Sequence, residues 1–465
     1  MSTPPGERPH VVIIGGGFGG LTAARALGHA DVELTVIDRW NHHLFQPLLY
    51  QVAMAGLSPA DIAVPIRSVL KKQKNTTVLL AEVKHVDLDA KHIEIDTGSP
   101  IPYDYLIVAV GAKSAYFGHD DWKKFSLGLK SIDDAVEVRR RVLLAFEAAE
   151  REDDPDARRR LLTFVVIGGG PTGVEVAGAL TELGKFVLAD DFRRIRAEKP
   201  RVVLVERANR LLPGGFVEEL AASAKRQLED IGVEVRLGES VVGIDEHGVR
   251  LDKETIETTT VLWTAGVDAS SLTRTLGVKL DRAGRAIVGA DCSVPGHPEA
   301  FVIGDAAVFV PKGETQPLPG VSPVAMQQAR FVAKLIKDRV AGTAPAAEFH
   351  YFDKGIMATV GRSRAVAQTG KLRLTGVIAW LAWLMVHIWY LIGFRNRFIV
   401  LFDWAWSYLT YKRGARLITG DSTSGRLLEL AERAGHPAGT GIAATASIAP
   451  KPQVAPLDQV STAAK

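Results

Sequence analysis

Residues 10–38 read HVVIIGGGFGGLTAARALGHADVELTVID. A short β-branched run breaks into glycines, a stretch of helical composition follows, and a second apolar run ends in Asp38. This is strand, turn, helix, strand, the opening half of a dinucleotide-binding βαβ unit. Gly15, Gly17 and Gly20 have the G-x-G-x-x-G spacing. The first permits the tight turn, the second lets the backbone approach a pyrophosphate, and the third allows helix and strand to pack closely. The phosphates then sit on a helix N-terminus. Asp38 ends the next strand 18 residues after Gly20, where a carboxylate accepts hydrogen bonds from a ribose diol.

The pattern recurs at 163–206, where TFVVIGGGPTGVEVAGALTELG leads, after an insertion at 186–199, to RVVLVE. Its glycines are Gly168, Gly170 and Gly173, and its acid is Glu206. A carboxylate there favours a ribose 2′-OH and repels a 2′-phosphate, which argues for NAD over NADP; Arg207 and Arg210 close by pull the other way. Two fingerprints about 150 residues apart are a domain-scale duplication. Two dinucleotide sites in one chain imply two nucleotides, and a flavin with a nicotinamide is the usual pair that exchanges hydride.

The chain has 465 residues, too many for one ordinary core, and 47% apolar and 23% charged residues, the composition of a folded globular protein. Cys292 is its single cysteine, so no intramolecular disulfide, dithiol or multi-cysteine metal site exists and redox chemistry belongs to a bound cofactor. His42 and His43 lack a third ligand at metal spacing and are expected to be surface or supporting histidines; no metal is expected. The polar, Pro-rich N-terminus carries no secretory signal pattern. Strand-like pieces lie between the fingerprints, a helix is expected through 131–150, and 151–160 reads as a solvated linker. FVIGDAA at 301–307 is a buried strand ending in Gly-Asp; a helix should then begin with Ser322 as N-cap and Pro323 first inside. From 434 the composition is that of a disordered tail.

The order of parts, from the first fingerprint through YDYLIVAVGA, the second fingerprint and WTAGV to FVIGDAA, resembles the two-dinucleotide-binding-domain flavoproteins. Within them, NHHLFQPLLYQVAMAGL at 41–57 and HIWYLIGFRNRF at 387–398 resemble the type II NADH:quinone oxidoreductases, single-subunit, non-pumping respiratory dehydrogenases. Disulfide reductases and sulfide:quinone oxidoreductases on this scaffold need at least two cysteines, which one Cys excludes. The resemblance implies an α/β fold of two Rossmann-like domains and a C-terminal helical membrane-association region. Its divisions are an FAD domain in two segments, 9–130 and 276–345, an NADH domain at 131–275, the membrane region at 346–433 and a tail at 434–465.

By the same resemblance FAD is held by Gly15, Gly16, Gly17, Phe18, Gly19, Gly20, Asp38, Arg39, Gln46, Val83, Ala109, Gly111, Asp305 and Ala325. NADH falls to Gly168, Gly169, Gly170, Pro171, Thr172, Gly173, Glu206, Ala265 and Gly266. Glu175 faces both cofactors and takes part in hydride transfer or quinone protonation; a carboxylate complementing a helix N-terminus is the plainer alternative. The helix after the Gly-Asp motif aims its positive end at the flavin. The family's AQxAxQ motif reads SPVAMQ here, so Gln327 remains at the quinone entrance while Pro323 stands where the first Gln would be.

Between Lys371 and Arg416 seven basic residues face one acid, Asp403, a local +6 in a chain of net +3. Five of the eight tryptophans fall in 380–406. Basic and aromatic together point to an anionic lipid surface and away from nucleic acid, with an aromatic core helix or a homodimer interface as the other reading. Residues 374–394 carry no formal charge and are long enough to span a bilayer, yet are expected not to. Trp380, Trp383, His387, Tyr390 and Phe394 share a face suited to packing on protein. In 398–411, Phe398, Leu401, Phe402, Ala405 and Leu409 lie on one side, with Asp403, Ser407 and Thr410 away from it. The expectation is a monotopic protein on the cytoplasmic face of the cell membrane, passing hydride from NADH to FAD and electrons to a quinone. A soluble NADH-dependent reductase serving a small redox protein, and a nucleotide-binding redox sensor without turnover, are the alternatives.

Overall fold

The computed structural model describes residues 8–188, 191–343, 348–410, 414–420 and 423–435. Most of the tail from 434 therefore lies outside the described residues, as do Lys412, Arg413 and the side chain of Phe394.

Two parallel sheets organise the chain. In the first, the strand order is Ser293–Val294, His297–Val302, Tyr105–Val108, His10–Ile14, Glu33–Asp38 and Thr76–Leu80, with only the Ser293–Val294 edge antiparallel. His10–Ile14 pairs on one side with the strand that follows it and on the other with Tyr105–Val108, so the first glycine loop sits where the strand order reverses. That crevice is where open α/β sheets bind ligands. The second sheet runs Ser126–Leu127, Thr260–Trp263, Thr163–Ile167, Arg201–Glu206, Val233–Leu237, all parallel, and places the second loop at the same switch point. Each sheet has a small antiparallel three-stranded companion, 83–102 beside the first and 241–257 beside the second. The central strands are buried on both faces, as their continuous Val/Ile runs require.

Local signals explain the helices. Ser131 caps Ile132–Arg151 by accepting from the Asp134 amide, and the Asp134 carboxylate accepts in turn from the Ser131 amide, a capping box. The expected linker at 151–160 is instead largely helical, Pro155–Leu161, because Asp154 accepts from the amides of Asp156 and Ala157 and Pro155 opens the turn. Ser322–Val340 begins one residue earlier than expected: Ser322 is already helical and Val321 occupies the cap position.

Beyond a three-stranded antiparallel sheet at 356–375 come the helices Gly376–Tyr390 and Phe394–Thr410, separated by a break at 391–393. Ala379 and Trp383 are buried, whereas Ile378, Met385 and Trp389 are 67%, 76% and 73% exposed on the opposite side. Phe398, Leu401, Phe402 and Leu409 are exposed, while Asp403, Ser407 and Thr410 turn inward. Both helices thus present apolar faces outward. Asn396 fixes the second by donating to the carbonyls of Ala60 and Asp61, each at 3.0 Å. Among the described residues, no helix is long and apolar enough to cross a membrane.

Candidate active site

The two glycine loops are built alike to the level of single hydrogen bonds. Gly15 N–H donates to the Ile37 carbonyl at 2.7 Å, and Gly168 N–H to that of Val205 at 2.8 Å. Gly16 N–H reaches Asp38 Oδ2 at 2.5 Å; Gly169 N–H reaches Glu206 Oε2 at 2.6 Å. Each acid spends its other oxygen on an amide two residues on, Trp40 or Ala208. A Cβ on Gly20 would stand 1.7 Å from the Gly15 carbonyl oxygen, and one on Gly173 1.8 Å from that of Gly168. Both third glycines are therefore fixed by close packing of helix on loop. Gly15 and Gly168 have φ of +102° and +107°, where a side chain is strained. Pro171 and Thr172 open the helix Pro171–Glu182 beside the second loop.

A cavity of about 1100 Å³ extends from the first loop across the face of the first sheet. That is at or above the ~300–1,000 Å³ of small-ligand pockets, room for a dinucleotide. Its wall includes Gly15, Gly16, Gly17, Phe18, Gly19, Asp38, Arg39, Gln46, Val83, Ala109, Gly111, Asp305 and Ala325. Nothing lies within 4 Å of where a Cβ on Gly17 or Gly111 would be, so backbone is bare to a ligand there. Ser322 and Ala325 bring the N-terminal end of a 19-residue helix to the wall, a favourable place for negative charge. Burial raises the Asp305 carboxyl above its ordinary range, opposed by Lys130; burial in turn lowers the Lys130 ammonium. The bare glycines, the acid at the strand end and the helix N-terminus fit an FAD.

Gly20, expected to hold FAD, packs against the Gly15 carbonyl and not in the wall, and three further expected residues lie elsewhere. Glu175, Gln327 and Pro323 are not in the cavity wall. Gln327 donates to the Phe352 carbonyl at 2.9 Å and accepts from the Phe352 amide at 3.0 Å, so it holds the 349–355 segment; its neighbour Gln328 instead accepts from Gly304 N–H at 2.8 Å. Glu175 projects from Pro171–Glu182 towards the strand Ile356–Gly361, where the Thr359 amide supports its carboxylate. The approach is close, since a Cβ on Gly178 would stand 1.7 Å from the Val360 carbonyl oxygen. Burial pushes the Glu175 carboxyl up to about 8. Ala265 and Gly266 end the Thr260–Trp263 strand outside the first cavity, with Phe117 resting on Gly266.

Sequence reasoning allowed His43 a supporting role and set His387 on a face that packs on protein, but it missed Lys130. His43 is buried, and its Nδ1 lies 3.0 Å from the Gly16 carbonyl, buttressing the loop. His387 stacks on Trp383 at 3.9 Å, and burial holds its imidazole down to about 4, so it is neutral. Lys130 faces Asp305 across the cavity and belongs to no motif. Of the five of these basic residues that are described, three are engaged within the chain: Arg373 with Glu219, Arg416 with Asp191, and Arg397 with the carbonyls of Leu391 and Trp389.

Fold and site together place residues 9–329 in the pyridine nucleotide-disulphide oxidoreductase family, whose model they match. Residues 354–412 match the NDH2 C-terminal domain. The chain is 46% identical over 461 residues to the type II NADH:quinone oxidoreductase Ndh of Mycobacterium tuberculosis, covering 96% of this chain and 98% of that protein. It is 32% identical to the type II NADH:quinone oxidoreductase of Staphylococcus haemolyticus over 80% of this chain and 92% of the other. The chain belongs to the type II NADH:quinone oxidoreductases. Its fold matches that of NDH2 from Plasmodium falciparum, solved in complex with NADH, with a TM-score of 0.79 at 20% identity, over 89% of this chain and all of the other.

Proposed function

We propose that this chain oxidises NADH and reduces a membrane quinone, without proton pumping, as a peripheral protein on the cytoplasmic face of the cell membrane. When bound, FAD would supply the two-electron redox chemistry that links NADH to the quinone. The residues do the positioning. The first loop, with Asp38, holds the adenylate half of FAD; Asp305, Lys130 and the N-terminus of Ser322–Val340 hold the other end. The second loop and Glu206 hold NADH, with Ala265 and Gly266 at the end of the neighbouring strand. Glu175 handles protons in the quinone half-reaction, since a carboxyl of pKa about 8 exists in both forms near neutral pH. Gln327 acts at the quinone entrance by fixing Phe352.

The observation that favours a quinone over a soluble acceptor is the outward apolar face of Gly376–Tyr390 and Phe394–Thr410. It suits seating in the lipid interface. Lys371 and Arg395, exposed beside it, would meet anionic headgroups. The same face would serve a homodimer, an outcome that sedimentation in detergent and in vesicles distinguishes. In the decisive experiment the flavin is reduced by NADH in a stopped-flow cell and then mixed with quinone or ferricyanide. Fast reoxidation by quinone is expected; reoxidation by ferricyanide alone would overturn the proposal.

A further inference from the structure

Trp404 lies on the inner side of Phe394–Thr410, and its indole Nε1–H donates to Gln51 Oε1 at 2.7 Å. An indole N–H is a donor only, so the Gln51 carbonyl must face Trp404 and its NH₂ must face the other way. That NH₂ reaches the Tyr50 phenol oxygen at 3.0 Å. Since the phenol accepts there, its own proton is directed to Thr359 Oγ1, also at 3.0 Å. Tyr50 and Thr359 are both buried, and the Thr359 amide supports the Glu175 carboxylate. Burial, with Glu175 and Glu182 nearby, holds the Tyr50 phenol far above its ordinary range, so it stays a proton donor. The polarity of the chain is thus set at its membrane-side end.

We propose that Trp404, Gln51 and Tyr50 are positioning residues for Glu175: a one-directional hydrogen-bond chain from the membrane-side helix ends on the Thr359 hydroxyl and so holds the residue whose backbone amide supports the carboxyl group handling protons for the quinone. The role of Glu175 rests on the function proposed above; the polarity of the chain does not. The groups around the carboxyl are few. Thr359 faces it from Ile356–Gly361 and Tyr50 from Leu49–Ala53. Glu182, two turns along its own helix, accepts from the Arg362 amide. His387, on Gly376–Tyr390, is neutral above about pH 4. The Thr359 amide favours the carboxylate, and breaking the chain that holds Thr359 should loosen that amide and favour the protonated acid.

The test is an infrared titration of the full-length, FAD-loaded protein, following the carboxylic-acid carbonyl band that Glu175→Gln removes. This readout needs no quinone turnover, so it stands apart from the proposed activity. Trp404→Phe, Gln51→Leu and Tyr50→Phe should each raise the midpoint by about half to one unit, the size of one lost hydrogen bond. The Trp404→Phe/Tyr50→Phe double variant should shift no further than Tyr50→Phe alone, because the links act in series. The pH profile of quinone-dependent reoxidation should move with the band. An unmoved midpoint in Trp404→Phe, or shifts that add in the double variant, would overturn the proposal. Should Tyr50→Phe fail to fold, Trp404→Phe at its half-buried position and Gln51→Leu carry the test.

Discussion

Replacing Glu206 by Gln separates two duties of one carboxylate. Its oxygens accept from Gly169 N–H at 2.6 Å and Ala208 N–H at 2.8 Å. A glutamine keeps one acceptor and turns an NH₂ at the other amide, so one bond is lost and the other loses its charge assistance. Hydrogen bonds to charged groups contribute about 1.5–3 kcal/mol against roughly 0.5–1.5 for neutral ones, so the loop should lose about 2–4 kcal/mol of support. If all of it appears in NADH turnover, kcat/KM falls by about 30- to 1,000-fold. NADPH suffers the same loop loss but is relieved of a carboxylate–phosphate repulsion of up to about 4 kcal/mol per charge pair at 4 Å. The ratio of kcat/KM for NADH to that for NADPH should therefore fall by about 10- to 100-fold, whatever happens to each alone. The assay is steady-state ferricyanide reduction with both nucleotides. An unchanged ratio, with both rates falling together, would show that Glu206 only supports the loop, and that Arg207 or Arg210 governs selectivity.

Four other outcomes follow from the geometry. With the Glu175 carboxyl at about 8, the protonated acid predominates below that pH, so quinone-dependent reoxidation should fall as pH rises through it and Glu175→Gln should flatten the profile in stopped-flow. Because this pKa is raised on folding, its linkage contribution favours the folded state at low pH and is lost between the ordinary carboxylate range and about 8; thermal midpoints of Glu175→Gln should depend less on pH over that window. Gln327→Leu removes both bonds to Phe352 and should slow the quinone half-reaction while sparing flavin reduction by NADH; equal losses in both halves would place Gln327 with the flavin. Met385→Glu, at a position 76% exposed on the apolar face, should cut vesicle binding by about 10-fold or more without changing ferricyanide reduction, and full retention on flotation would refute seating by that face.

What was readable in the sequence is what local chemistry dictates. Both glycine loops, their acids and the strands between them follow from Val/Ile runs, glycines at fixed offsets and a strand-end carboxylate, and the structure repeats the same hydrogen bonds at each. The inward and outward faces of 374–410 followed from helical spacing, down to the burial of Trp383 and the exposure of Leu409. Long-range convergence stayed hidden. Lys130 faces Asp305 across the cavity, and Tyr50 meets Thr359 across 309 positions, through packing that no spacing encodes. Pro155–Leu161 was misread because charged composition resembles a linker, although Asp154-Pro155 is an N-terminal helix signal that outweighs it.

The proposed seating in the membrane depends on the break between the two C-terminal helices more than on their hydrophobicity. The uncharged stretch 374–394 is long enough by count, but its helix runs only from Gly376 to Tyr390, 15 residues. At 1.5 Å per residue that is about 22 Å, short of a hydrocarbon core of about 30 Å. The break is held by a charge. Arg397 turns back from the next helix, its Nε donating to the Leu391 carbonyl and its Nη2 to that of Trp389, both at 2.7 Å, and so supplies partners for a helix end that lipid would leave unsatisfied. Asn396 ties the same turn to Ala60 and Asp61, beside the loop that follows Tyr50 and Gln51. A turn pinned by an arginine and an asparagine to the nucleotide-binding body belongs at the protein side of the interface, which leaves Met385, Trp389, Phe398 and Phe402 as the surface that enters it.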